Sequence, residues 1–168
     1  MKKYPLNALL IFLLAPVMLL GFTSKPDRTN FSGDWKLNET KSELADFAQF
    51  ATRSIKADQK TDNMVITRVA GSFDGSENTS VETLTFDGKE AESVLFGTSK
   101  RKTIAKWSED GKTLKQSFKL FLDFNGEVTE VTGTEVWTLS DDGKTLSTKI
   151  NSTSTFGDLA INCVYDKK

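Results

Sequence analysis

The chain lacks histidine and has one cysteine, Cys163, among its 168 residues. Without histidine there is no Ser-His-Asp or Cys-His catalytic arrangement, no histidine-ligated haem and no histidine-containing zinc site. A single cysteine excludes a CxxC redox motif, a multi-cysteine zinc site and a disulfide within the chain. We expect Cys163 to be a buried strand residue rather than a reactive thiol. We expect no metal site and no cofactor.

The chain also lacks an excess of charge of either sign. Lysine and arginine total 22, aspartate and glutamate total 23, and the formal net charge is −1. Such a balance offers no electrostatic footprint for a nucleic-acid backbone, so no nucleic-acid partner is expected.

One long uncharged, largely apolar run spans residues 6–22, after the basic Lys2 and Lys3, and polar residues resume at Thr23. This layout predicts a signal peptide over residues 1–24, followed by a short tether over residues 25–30. We therefore expect an exported protein, periplasmic or secreted, with no membrane span after cleavage. The alternative is an uncleaved N-terminal anchor, since the run is near the lower length limit for a spanning helix.

From Phe31 onward, short runs rich in Thr, Val, Ile and Phe alternate polar and apolar residues between Asp-Gly and Asn-Gly turns. The predicted strands are residues 31–38, 53–59, 63–70, 79–87, 89–96, 100–108, 112–123, 127–139, 144–153 and 158–167. The predicted fold is all-β, a single up-and-down antiparallel meander over residues 31–168. We expect about 8–10 strands closed into a barrel, because closure removes exposed edges.

One segment departs from the two-residue period. Between residues 41 and 51 the apolar Leu44, Phe47, Ala48 and Ala51 follow the spacing of one helix face. We expect a short helix there, after the first strand.

The mature chain opens with Phe-Ser-Gly-Asp-Trp-Lys-Leu over Phe31–Leu37 and closes with Cys-Val-Tyr-Asp-Lys-Lys over Cys163–Lys168. The opening, the helix after it and the closing strand resemble the calycins, that is, lipocalins and fatty-acid-binding proteins. In detail the chain looks like exported bacterial lipocalin-like proteins. The resemblance implies a calycin-like barrel whose first and last strands are neighbours.

The resemblance does not extend to a fatty-acid site. Fatty-acid-binding proteins place an arginine two residues before the closing tyrosine, to hold the ligand carboxylate. In this chain that position is Cys163, so the ligand class stays open.

Strand alternation predicts which side chains point into the barrel. A mostly apolar lumen with a few polar groups is typical of a small-molecule site. The predicted ligand-binding residues are Trp35, Arg101, Trp107, Gln116, Phe118, Glu135, Trp137 and Tyr165, with Arg68 a further inward candidate. For Arg101 the alternative is a solvated basic rim beside Lys100 and Lys102. For Glu135 it is an outward orientation at a bulge beside Gly133.

The leading functional hypothesis is non-catalytic binding of a small apolar or amphipathic molecule in the lumen. The second is a barrel packed by its own side chains, serving as an envelope or protein-interaction module with an unknown protein partner. An enzyme is the third, with Glu135, Arg101 or Tyr165 as its reactive groups; we expect no catalytic residues. A perturbed pKa of Glu135 together with an open cleft would favour the enzyme.

Overall fold

The computed structural model describes residues 27–72, 75–124 and 126–168, so the predicted signal peptide lies outside the described residues. The described chain forms ten strands and two short 3₁₀ segments. The strands are β1 Gly33–Leu37, β2 Thr52–Gln59, β3 Asn63–Gly71, β4 Glu77–Thr85, β5 Glu90–Phe96, β6 Ser99–Trp107, β7 Leu114–Phe124, β8 Glu127–Leu139, β9 Thr145–Ser154 and β10 Gly157–Lys167. The 3₁₀ segments are Glu39–Lys41 and Ala45–Phe50.

All ten strands belong to one antiparallel sheet with the order β4-β3-β2-β1-β10-β9-β8-β7-β6-β5. Strand β1 pairs with β2 on one side and with β10 on the other, where Trp35 is opposite Lys167. The all-β meander forming a nearly closed barrel is confirmed. Strands β4 and β5 are consecutive in the chain yet stand at the two ends of the pairing order, and we call the line between them the seam.

The turns explain why the chain reverses where it does. In the β6–β7 turn, the Asp110 carboxylate accepts hydrogen bonds from the Ser108 hydroxyl (2.6 Å) and the Lys112 backbone N–H (3.0 Å). Gly111 then takes the positive φ of 70° that an L side chain disfavours. The β8–β9 turn repeats the same pattern around Asp142. Each Ser-x-Asp-Gly-Lys run therefore specifies a tight reversal locally.

The helix expected over residues 41–51 is replaced by the two 3₁₀ segments with an extended residue between them. The Asn38 side chain accepts a hydrogen bond from the Lys41 backbone N–H and caps the first segment. Glu43 then pairs with Asn162 of β10 through backbone hydrogen bonds of 2.8 and 3.0 Å. Because this bridge requires an extended backbone at Glu43, a continuous helix cannot form.

The barrel has two unlike ends. The closed end carries the β2–β3, β4–β5, β6–β7 and β8–β9 turns together with residues 27–32. There the Phe31 ring stacks on Trp107 and meets Trp137 edge-on, each at 5.7 Å between ring centroids. The Trp35 indole N–H donates to the Phe31 carbonyl at 3.0 Å. Apolar side chains fully buried at this end form most of the core.

The open end carries the 3₁₀ segments and the β3–β4, β5–β6, β7–β8 and β9–β10 turns. Here the apolar side chains on the inward parity are only half-buried. They include Leu120, Val131, Ile150, Leu159 and Ile161. In the part of the chain that the structure describes, no helix has the length and apolarity needed to cross a membrane.

Candidate functional site

A layer of buried polar side chains lies between the aromatic closed end and the open end. We call it the polar layer; its members are Arg68 of β3, Glu82 of β4, Arg101 and Thr103 of β6, Gln116 of β7 and Glu135 of β8. Each occupies an inward position on its strand, so five strands contribute to one level of the barrel. Side chains separated by up to 67 residues in the chain thereby become neighbours.

Glu135 is the centre of the polar layer, and its side chain is fully buried. Its carboxylate accepts two parallel hydrogen bonds from the Arg68 guanidinium, at 3.0 and 3.1 Å. It also accepts from Arg101 Nη2 at 3.0 Å and from the Trp137 indole N–H at 2.7 Å. Four donors on one carboxylate satisfy both oxygens, the arrangement that makes burial of a charge tolerable.

Glu82 completes the layer from the other side of the barrel. One of its oxygens accepts from the Thr103 hydroxyl and lies 3.3 Å from Arg101 Nε. Its other oxygen is 3.9 Å from Arg68 Nη2, too far for a good hydrogen bond. The Phe118 ring covers the Arg101 guanidinium at 4.4 Å, on the open-end side.

The electrostatics of Glu135 follow from this geometry. Burial alone raises the pKa of Glu135, but the positive charges of Arg68 and Arg101 and the hydrogen bonds outweigh it and lower the pKa to about 2. Burial lowers the pKa of Arg68, yet Glu135 and Glu82 more than compensate and raise it. Glu135 is thus ionised near neutral pH, which makes it a poor general acid.

Two further inward groups on β10 are neutral at physiological pH. Burial raises the pKa of Tyr165 well above its usual value and also raises the pKa of the Cys163 thiol. Cys163 is a free, buried thiol, as expected.

Several buried polar atoms in or next to the polar layer have no hydrogen-bond partner among the described residues. They are Arg68 Nε, Glu82 Oε2, Ser93 Oγ, Gln116 Nε2 and Thr148 Oγ1. Both hydrogen-bond donors and acceptors are in this set. Buried polar atoms normally find partners, so this level of the lumen suits a water or ligand with matching polar groups.

The residues predicted to bind a ligand all lie on the inward face or in the core, but at different levels. Arg101, Gln116 and Glu135 meet in the polar layer, and Phe118 covers it. Trp137 donates to Glu135 from the closed end. Trp35 and Trp107 belong to the closed end, and Tyr165 is buried in the core. Their roles toward a ligand stay predictions.

Both alternatives for the charged candidates are wrong. Arg101 is buried rather than part of a solvated rim. Glu135 does not turn outward at a bulge, because β8 pairs in continuous register with β7 and β9 through Gly133 and Glu135. Arg68 points inward and binds Glu135.

Glu82 and Thr103 were missed as members of the site. The signal for Glu82 was its shared parity with Leu84 and Phe86, which places it inward. Its neighbour Val81, with 54% exposure, looks like the core residue of that strand but faces outward.

Two concavities lie on the outer surface. The larger, about 610 Å³, is formed by β8, β9 and β10 and is lined mostly by Thr, Ser and Asn residues. The smaller, about 260 Å³, is at the closed end near Thr29 and Leu139.

Within the described ranges, no cluster of three or more His, Cys, Asp or Glu side chains is placed to hold a metal ion. No family model, curated protein or solved structure matches the chain.

Proposed function

We propose that the protein is a non-catalytic carrier that takes one small amphipathic molecule through the open end of its barrel. The supporting observation is the gradient of burial along the lumen. Most apolar side chains at the closed end are fully buried, whereas most inward apolar side chains at the open end are half-buried. Partner-lacking polar atoms lie between the two ends.

Each part of such a molecule has a counterpart in the barrel. An apolar body would cover Leu120, Val131, Ile150 and Ile161, and burial of apolar surface contributes about 25 cal/mol per Å². A polar group at its inner end would reach past Phe118 to the polar layer. Few polar contacts in a mainly apolar site are what fix the orientation of a small ligand.

Native mass spectrometry on the protein purified from its own host tests this directly. We expect a mass excess under native conditions that vanishes when the same sample is denatured. A bare mass, combined with no uptake of added amphiphiles, would contradict a carrier function.

A pair of lysine substitutions on β10 tests where the molecule enters. Ile161 is half-buried on the inward face, so Ile161→Lys should abolish binding by placing a charge in the open end. Ala160 is exposed on the outer face, so Ala160→Lys is the matched control and should bind normally. Equal loss in both variants, or in neither, would argue against entry at the open end.

A second candidate is a protein-interaction module, supported by apolar side chains on the outer surface. Val81 and Val94 are 54% and 55% exposed on the two strands that border the seam, and Phe156 is 76% exposed at the β9–β10 turn. Photo-crosslinking from position 94 in the native host should then capture one specific protein, whereas crosslinking from the exposed Lys115 should not. The same labelled proteins from both positions, or none, would contradict it.

A further inference from the structure

The polar layer has no net charge. Its acidic and basic side chains are two arginines, Arg68 and Arg101, and two glutamates, Glu82 and Glu135, whose formal charges cancel. In the described part of the chain these four are the buried charged residues. The lumen therefore holds two positive and two negative charges.

The two arginines are already committed to carboxylates of the protein. Arg68 forms a two-pronged pair with Glu135, and Arg101 is shared between Glu135 at 3.0 Å and Glu82 at 3.3 Å. A ligand carboxylate entering this layer would bring a third negative charge against two positive ones. A ligand ammonium group would bring the opposite excess. Either charge would lose its hydration without gaining a free counterion, which is costly in a buried site.

The polar atoms that lack partners have a different preference. Glu82 Oε2 accepts hydrogen bonds, Gln116 Nε2 donates them, and the hydroxyls of Ser93 and Thr148 can do both. A hydroxyl or a primary amide both donates and accepts hydrogen bonds and carries no charge. Such a group would satisfy the layer without disturbing its ion pairs.

We infer that the ligand is a neutral amphiphile, an apolar chain ending in a hydroxyl or amide group, and that the polar layer excludes fatty carboxylates and amines. This inference rests on the proposed function of the open end. It assigns the selection to charge balance, which the protein maintains by pairing Arg68 and Arg101 with Glu135 and Glu82.

Three molecules with the same alkyl chain and different head groups provide the test. Dodecanol, dodecanoate and dodecylammonium are compared by their displacement of a neutral apolar dye from the full protein near neutral pH. We expect dodecanol to bind at least about tenfold more tightly than either charged analogue, because each of these leaves an unpaired buried charge. Dodecanoate binding as tightly as dodecanol would overturn the inference.

A charge-removing variant sharpens the comparison. Glu82→Gln leaves the shape of the layer almost unchanged and gives it one excess positive charge. This variant should gain at least about tenfold in dodecanoate affinity relative to its dodecanol affinity. Glu130→Gln is the matched control: it removes a carboxylate from an exposed pair with Lys119 at 3.2 Å and should change neither affinity.

The outcomes separate the two proposals. If no molecule with this chain displaces the dye from any protein, the carrier function itself fails. If all three bind equally, the carrier function stands and selection by charge balance is wrong. If Glu82→Gln shows no gain for dodecanoate although it folds as judged by circular dichroism, the polar layer is not what selects the head group.

Discussion

Replacing Glu135 with glutamine should destabilise the barrel more than the loss of any other single carboxylate that the structure describes. The substitution keeps the size of the side chain but turns one oxygen into an amide that donates where Arg68 or Arg101 also donates. The two arginines are then left with a single buried carboxylate, Glu82, between them. Breaking one partner of a buried ion pair typically costs about 3–5 kcal/mol.

The pKa of Glu135 gives a second, independent magnitude. Its value of about 2 in the folded protein, against 4.5 for an ordinary glutamate, corresponds to about 3 kcal/mol of folding stability. Because the pKa is lowered by folding, this stability is present above pH 4.5 and is lost as the pH falls toward 2. The two magnitudes agree.

Urea unfolding followed by tryptophan fluorescence measures both effects, since Trp137 donates to Glu135. The difference in unfolding free energy between wild type and Glu135→Gln should be about 3–5 kcal/mol at neutral pH. It should shrink steadily as the pH falls from 4.5 to 2. Glu130→Gln, which breaks an exposed pair with Lys119, should cost about 1 kcal/mol or less at every pH. A Glu135→Gln difference below about 1 kcal/mol, or one independent of pH, would refute this reasoning.

Three further substitutions and one chemical assay test other parts of the fold. Gly133→Ala should lower the free energy of unfolding by about 1–3 kcal/mol in urea, because the added Cβ would lie 2.5 Å from the Asn151 carbonyl oxygen. An unchanged stability would contradict the close approach of β8 and β9 at this position. Phe31→Ala should lower the free energy of unfolding by about 3–5 kcal/mol, since the Phe31 ring is fully buried between two indoles. Thermal or urea unfolding measures this, and a loss below about 1 kcal/mol would show that the closed end is not part of the core. Arg28→Ala removes a guanidinium that lies 5.1 Å from the Phe86 ring centroid. The free energy of unfolding should fall by about 1 kcal/mol or less in the same assay, and a larger loss would mean that Arg28 anchors the closed end. The Cys163 thiol should react with an aromatic disulfide reagent only at the rate of unfolding, and fast reaction of the native protein would contradict its burial.

The order and approximate bounds of the strands could be predicted because their signals are local. A two-residue alternation and an Asp-Gly turn depend only on neighbouring residues, so the succession of strands could be read directly from the chain. The 3₁₀ segments could not, because the bridge from Glu43 to Asn162 joins residues that are far apart in sequence. The helical spacing of Leu44 and Phe47 is compatible with either structure.

The candidate site shows the same limit more sharply. Parity alone placed Arg101, Gln116 and Glu135 in the lumen, but it could not show that two arginines and two glutamates would neutralise one another there. Arg68 and Glu135 lie on β3 and β8, which are not neighbours in the sheet. Their pairing depends on how the barrel curves, and no periodicity in the sequence encodes that distance.

Because no ladder joins β4 to β5, the chain can be cut at the seam without losing a strand pairing. The Lys168 backbone N–H donates to the Asp34 carbonyl at 2.9 Å, so the last residue lies beside the first strand. A circular permutant of residues 27–168 that joins Lys168 to Asp27 by a linker and opens the chain at Asp87-Gly88 would keep every ladder of the sheet. Each paired strand would then follow its partner directly in sequence, including β10 and β1, which are paired at long range in the natural chain. In exchange, the contacts of β4 with β5 and β6 across the seam, which are local in the natural chain, would become long-range. Because folding slows as contacts become less local, the permutant should fold no faster than the natural chain while its barrel is unchanged.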